Sequence, residues 1–363
     1  MKTRHLLSGL AVAAMLVQPS LAMSRSMEAA PAPLYPVTPY IAEKGVETVY
    51  PSVAGKFLVF GQRKGHDYSV NRVSKSSPNT SHYKLKPLAK IDDMRFGVAI
   101  EDGSIGYVSN RVGPTSAWMW QGKGDGQVAI GSLATFRGGL APFNLNASSD
   151  GKVWCFDSTF DKQRYNQMLN EFSKISHFEL VGQQWRTYNS DSFRHKQGYN
   201  ATKTGNKNKF DAPLLYVFSR HNSQLVMIPN AFNGAISPNG EKVAFVRETN
   251  GNYDLWMQDI DGGDLMQLTS SQFGDFEPAW SPDGKKLLFV SNRDSAGDVT
   301  RTSIYMLEIS SNRITRLTNA PKVTDGGPAW LNSNTVLFHS NRSLANTNSG
   351  TGSNWNIWKL DIK

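Results

Sequence analysis

Glu277-Pro278-Ala279-Trp280-Ser281-Pro282-Asp283-Gly284-Lys285-Lys286, running straight into Leu287-Leu288-Phe289-Val290-Ser291, is the stretch on which the fold turns. Pro282 presets φ at the start of a tight turn and Gly284 accepts the positive φ the turn requires, so the apolar runs on either side fold back as an antiparallel hairpin. The same phrase stands 44 residues earlier as Ala235-Ile236-Ser237-Pro238-Asn239-Gly240. It returns, eroded, 50 residues later as Ala329-Trp330-Leu331-Asn332-Ser333-Asn334. A period in this range is the mark of a repeat architecture.

Each copy continues in the same order. A strand follows the turn (Val243 to Arg247, Leu287 to Ser291, Val336 to Ser340), then a polar loop, then an aromatic strand with Leu255-Trp256, Ile304-Tyr305 or Ile357-Trp358. The first two copies close on Gln267-Leu268-Thr269 and Arg316-Leu317-Thr318. β-Branched and aromatic residues alternating with polar ones put one face of each strand in an interior. A lone sheet of four short strands cannot bury both faces, whereas sheets packed radially can.

That template finds fainter copies upstream. Ser149-Asp150-Gly151 precedes Lys152 to Phe156. Glu101-Asp102-Gly103 precedes Ile105 to Ser109 and then Asn110-Arg111, which echoes Asn292-Arg293 and Asn341-Arg342. Ala54-Gly55 precedes Lys56 to Phe60. Six units result, starting near Tyr50, Phe96, Phe143, Phe232, Phe276 and Gly326. The reading is all-β: a six-bladed β-propeller of four-stranded antiparallel blades over residues 37–363. The sixth unit ends at Lys363 after its third strand, so Val37 to Ala42 are predicted to supply the fourth and close the ring.

Ahead of the repeats, Lys2 and Arg4, an apolar run from Leu6 to Val17 and then Ser20-Leu21-Ala22 have the layout of a secretory signal cleaved after Ala22. The run is too short for the ~20 residues that cross a bilayer. Residues 23–36, with Pro31, Pro33 and Pro36, are expected to be a flexible leader. The expected product is a periplasmic monomer that does not span the membrane. The formal charge of +9 is scattered, which argues against nucleic acid and leans toward an acidic partner. The single cysteine, Cys155, sits in an apolar strand and is expected to be a buried, inert thiol.

The run Phe276 to Thr318, with Glu277-Pro278-Ala279-Trp280-Ser281-Pro282-Asp283-Gly284, Ser291-Asn292-Arg293-Asp294 and Arg316-Leu317-Thr318, resembles the TolB-type propeller repeat. The resemblance is close over residues 232–363 and looser over 46–231. It implies a scaffold that captures a protein in the cell envelope, such as a peptidoglycan-associated lipoprotein or another Tol-type component. It extends to the propeller half only, since nothing ahead of Tyr50 is long enough for that family's separate α/β domain.

In such a ring the second-to-third-strand loops and the blade-to-blade loops open on one face, where binding is expected. Asp275, Glu277 and Asp325 are expected at the channel mouth, and Arg111, Arg293, Asp294 and Arg342 in the loops beside it. A long excursion in the third unit, about residues 160–211, spaces Tyr165, Met168, Leu169, Phe172 and Ile175 as an amphipathic helix. Arg194, His195 and Lys196 lie in its basic tip and are further candidates for partner contact, in an element able to gate that face. No Gly-x-Ser-x-Gly elbow, His-Glu-x-x-His or Cys/His ligand spacing occurs, so no catalytic residue, cofactor or metal is assigned. The alternative is a propeller lyase or ligand-binding propeller acting on a sugar or peptide, with ligands gathered across blades.

Overall fold

The Ser-Pro-Asp-Gly turn closes on itself. Ser281 Oγ donates to Asp283 Oδ1 (2.6 Å), Asp283 Oδ1 accepts the Lys285 N–H (3.1 Å), and the Lys286 N–H returns to Ser281 Oγ (2.9 Å). Gly284, at φ +69°, donates its N–H to the Ser281 carbonyl (2.9 Å). Ser237 with Asn239 and Ser148 with Asp150 repeat this circuit. Each circuit satisfies the polar groups of a two-stranded corner without outside help.

A computed structural model describes residues 35–65, 67–78, 83–85, 94–109, 116–122, 127–130, 143–160, 212–222, 224–249, 251–319, 322–345 and 351–362. Within them, the strands form six antiparallel sheets of four. Blade one is β2 (Glu47–Ala54), β3 (Phe57–Lys64), β4 (Asp67–Ser74) and β5 (Tyr83–Lys84). Blade two is β6 (Met94–Ala99), β7 (Ile105–Ser109), β8 (Ser116–Trp120) and β9 (Gln127–Ala129). Blade three is β10 (Phe143–Ala147), β11 (Val153–Phe160), β12 (Ala212–Ser219) and β13 (Gln224–Pro229). Blade four is β14 (Ala231–Ile236), β15 (Lys242–Thr249), β16 (Asn252–Asp259) and β17 (Met266–Gln267). Blade five is β18 (Asp275–Trp280), β19 (Lys286–Ser291), β20 (Ser303–Glu308) and β21 (Arg313–Arg316). Blade six joins β22 (Asp325–Trp330), β23 (Thr335–Arg342) and β24 (Thr351–Asp361) to β1 (Val37–Ile41).

The six units and the closure expected from the repeats are the ones observed. β1 runs antiparallel to β24, with Val37 opposite Leu360 and Ile41 opposite Ile357, and both Val37 and Ile41 are buried. The two ends of the repeat region are thereby held in one sheet, which removes an open edge. Between blades the faces pack as apolar layers: Val153, Cys155, Leu215 and Val217 of blade three meet Val243 and Phe245 of blade four. Cys155 is fully buried, and burial, with the Asp157 charge adding to it, pushes its thiol well above the ordinary range. The amphipathic helix expected within residues 160–211 lies outside the described residues, as does the signal segment. No helix among the described residues is long and apolar enough to cross a membrane.

Candidate functional site

The first strand of every blade is interrupted at its middle. Register slips between Val49 and Ser52, Arg95 and Val98, Phe143 and Asn146, Phe232 and Ala235, Phe276 and Ala279, and Gly326 and Ala329. At each slip one residue turns left-handed: Tyr50, Phe96, Asn144, Asn233, Glu277 and Gly327, with φ between 49° and 54°. A bulge bends its strand and re-aims the side chains that follow. Holding a non-glycine residue there costs on the order of 1–3 kcal/mol, so the surrounding ring must over-determine it.

Part of that hold comes from the preceding blade. Glu277 Oε2 accepts the Gly327 N–H (2.5 Å), Asp157 Oδ2 accepts the Asn233 N–H (2.9 Å), and His339 Nδ1 accepts the Tyr50 N–H (3.3 Å). Asp157 also accepts from Asn144 Nδ2 (2.6 Å). His339 is buried in β23 and meets the Tyr50 ring edge-on at 4.6 Å. Gly327 passes so close above it that a Cβ would stand 2.5 Å from Nδ1, which explains why this left-handed position alone is glycine.

From these six residues to the first hairpins, the inner strands line an axial cavity of about 570 Å³. The left-handed residues mark its inner end, and Gly55, Ser149, Pro238, Pro282 and Ser333 its hairpin end. Its wall is mostly small or amide-bearing, with the Trp280 and Trp330 indoles between blades. Trp280 Nε1 donates to the Ala235 carbonyl (2.9 Å) and Trp330 Nε1 to the Ala279 carbonyl (3.3 Å) of the blade before. Ser52 Oγ and Asn146 Oδ1 likewise accept N–H groups of Ala99 (3.0 Å) and Ile236 (2.9 Å) in the blade after. Among the described lining residues, the charged side chains are Lys75, near the hairpins, and Glu277, at the inner end.

The candidates named from sequence divide sharply. Glu277 lies on the cavity. Asp275 and Asp325, expected at the channel mouth as partner contacts, begin β18 and β22 with 0% side-chain exposure and are matched by arginines. Arg293 Nη2 donates to both Asp275 oxygens (2.8 and 2.9 Å), and Arg342 donates through Nε (3.2 Å) and Nη2 (2.5 Å) to Asp325. The pairing follows from the arginine's reach: each folds back over an aromatic residue of its own second strand, Phe289 or Phe338, and meets the carboxylate within the blade. Asp294 pairs with Arg316 (3.1 Å) at the edge of blade five. Arg111, Arg194, His195 and Lys196 lie outside the described residues.

The cavity lining itself went unread apart from Glu277. Its one signal is that Tyr50, Glu277 and Gly327 stand directly before Pro, and Phe96 and Asn233 directly before Gly. Of the seven histidines, His221 and His339 are described, and among the described residues no three His, Cys, Asp or Glu side chains gather as a metal site.

Residues 213–302 match the TolB beta propeller domain family. The Protein TolB homolog of Chlorobium chlorochromatii is 34% identical over 138 residues, 36% of this chain and 28% of that protein, so the chain spans less than a third of that relative's length. Among solved structures, an oligogalacturonate lyase in complex with manganese superposes with a TM-score of 0.51 at 10% identity, covering 91% of this chain and 96% of that one. TolB from Acinetobacter baumannii gives 0.48 at 13% identity, covering 89% and 65%. With its Ser-Pro-Asp-Gly hairpins and six four-stranded blades, the chain is a six-bladed β-propeller that is similar to the TolB type over the residues matched.

Proposed function

We propose that this propeller works by binding, and that after export to the periplasm its axial cavity receives an extended segment of a protein partner in the cell envelope. The observation that carries this reading is the character of the wall. Prolines, alanines and two indoles give apolar contact, while Asn144, Asn146 and Asn233 supply amides able to pair with a peptide backbone. The cavity volume of about 570 Å³ falls in the range that encloses a small ligand or a short chain segment. The resemblance to TolB-type repeats points the same way, and it is the source of the envelope assignment.

Two observations support a binding face at the hairpin end. The carboxylates at the loop end of the inner strands are consumed in ion pairs, whereas the cavity is lined toward the first hairpins. A photo-crosslinking residue placed at Asn332, beside the hairpin end, is expected to trap a discrete protein adduct in intact cells. The same residue placed at Ile314 on an outer strand is the control. Adducts of equal yield at both positions, or none at Asn332, would reject the axial reading. An adduct-free protein that instead co-purifies with an oligosaccharide would favour a ligand-binding propeller.

A further inference from the structure

In three consecutive blades an arginine guanidinium lies over an aromatic residue of the second strand, from the position opposite the first inner-strand residue in blade four and from two residues further on in blades five and six. Arg293 stands 5.5 Å from the Phe289 ring and 4.8 Å from Tyr305, and Arg342 stands 5.8 Å from Phe338. In blade four, Arg247 stands 5.2 Å from Phe245 and 5.4 Å from Trp256. Phe245 opposes Trp256 across β15 and β16 just as Phe289 opposes Tyr305 across β19 and β20. In blades five and six the guanidinium finds an aspartate at the first residue of the inner strand, Asp275 or Asp325. In blade four that residue is Ala231, directly opposite Arg247.

The blade offers no substitute. Asp254, which opposes Arg247 in register, gives its oxygens to the Ser271 N–H (3.1 Å) and Gln267 Nε2 (3.5 Å). No ion pair to Arg247 forms among the described residues. Arg247 Nε and Trp256 Nε1 are both buried without an acceptor. Burial lowers the Arg247 pKa from its ordinary value with no neighbouring anion acting against it, although a guanidinium stays charged at neutral pH.

We propose that Arg247 and Trp256 form a binding site for a carboxylate from outside the chain, which takes the part that Asp275 and Asp325 play in the next two blades. A planar guanidinium held on an aromatic pair is preorganised for two-pronged recognition of a carboxylate, and the indole N–H adds a second donor type. The site stands at the opposite end of the inner strand from the cavity's hairpin end, so it is independent of whatever the axial cavity receives. Two sources share this chemistry: a free small carboxylic acid and an acidic side chain of a partner protein.

The indole N–H of Trp256, assigned by a Trp256→Phe variant, reports on the site by NMR. Titration with sodium acetate against sodium chloride at constant ionic strength is expected to shift it saturably. Arg247→Gln should weaken that binding by about tenfold or more, the effect of losing a charge-assisted pair. Ala231→Asp should move the resonance in the same direction without acetate, abolish the response to acetate and raise the Tm. A blocked tripeptide with a central aspartate is the second arm: binding tighter than acetate identifies a protein side chain as the source, and equal affinity a small free acid. A linear, non-saturating shift with both probes, or a response unchanged in folded Arg247→Gln, would overturn the proposal even if Ala231→Asp did not fold.

Discussion

Blades five and six are written in nearly the same letters and are stabilised differently. Both open on an aspartate and answer it with Ser-Asn-Arg at the end of the second strand. In blade five the arginine keeps 22% side-chain exposure, while in blade six it keeps 1%. Blade five is continuous from β18 to β21, whereas blade six must borrow β1 from more than three hundred residues away. The same ion pair thus occurs once at a half-open edge and once sealed inside the sheet that holds both ends of the ring. A buried pair contributes little over an apolar replacement, yet losing one partner is severe, because a desolvated charge is left behind.

The first way to break the parallel is to remove what blade six borrows. Deleting residues 23–45 takes Val37 and Ile41 out of their buried sites and exposes the edge of β24. Burying each such side chain is worth about 1.5–3 kcal/mol, so the loss is expected to be about 3–6 kcal/mol before any ladder hydrogen bonds are counted. Urea unfolding should show it, together with faster amide exchange along β24 than along β20. An unchanged midpoint would mean that ring closure does not depend on the borrowed strand.

A sharper cut removes one charge from each pair. Arg342→Met is expected to destabilise by roughly 3–5 kcal/mol, since Asp325 has no route to solvent. Arg293→Met should cost less, about 1–3 kcal/mol, because hydration reaches the edge of that pair. Equal losses in chemical denaturation would show that exposure is not what separates the two blades. Asp325→Asn combined with Arg342→Met should recover part of the deficit by removing both charges together.

How much of this was legible follows from where the information sits. Turn chemistry is local, so Pro282 and Gly284 announced a hairpin, and Ser281 and Asp283 close it with hydrogen bonds of their own. The borrowed strand was also legible, because counting strands left the sixth unit one short and Val37 to Ala42 were to hand. The ion pairs were half legible: the Ser-Asn-Arg echo was seen, but Asp275 and Arg293 stand 18 residues apart and join only once the sheet exists. The left-handed bulges gave almost no sign. Tyr50, Phe96 and Glu277 carry no preference for positive φ, so their conformation is imposed by neighbouring blades and cannot be read from their own letters. Glu277 was therefore picked out for its charge and found on the cavity for a different reason.

The smallest effect separates the hairpins at the far end of the same two blades. Blade five turns on Asp283, whose carboxyl is held below the usual range, first by the Ser281 hydroxyl and then by the Lys285 N–H despite some desolvation. Blade six turns on Asn332, which accepts the Asn334 and Thr335 N–H groups (2.8 and 2.9 Å) and does not titrate. A carboxyl with a depressed folded pKa stabilises the fold fully above its unfolded value of about 3.9, and that contribution disappears as the pH falls through the folded value. Because the Asp283 side chain is largely open to solvent, the contribution is expected to stay below about 1 kcal/mol. Asp283→Asn should match the wild type in acid, differ from it slightly at neutral pH, and flatten the acid limb of a stability profile measured by urea unfolding. Asn332→Asp should do the reverse and give blade six the pH dependence that blade five has lost. If neither substitution changes the slope, the hairpin carboxyl does not couple to folding.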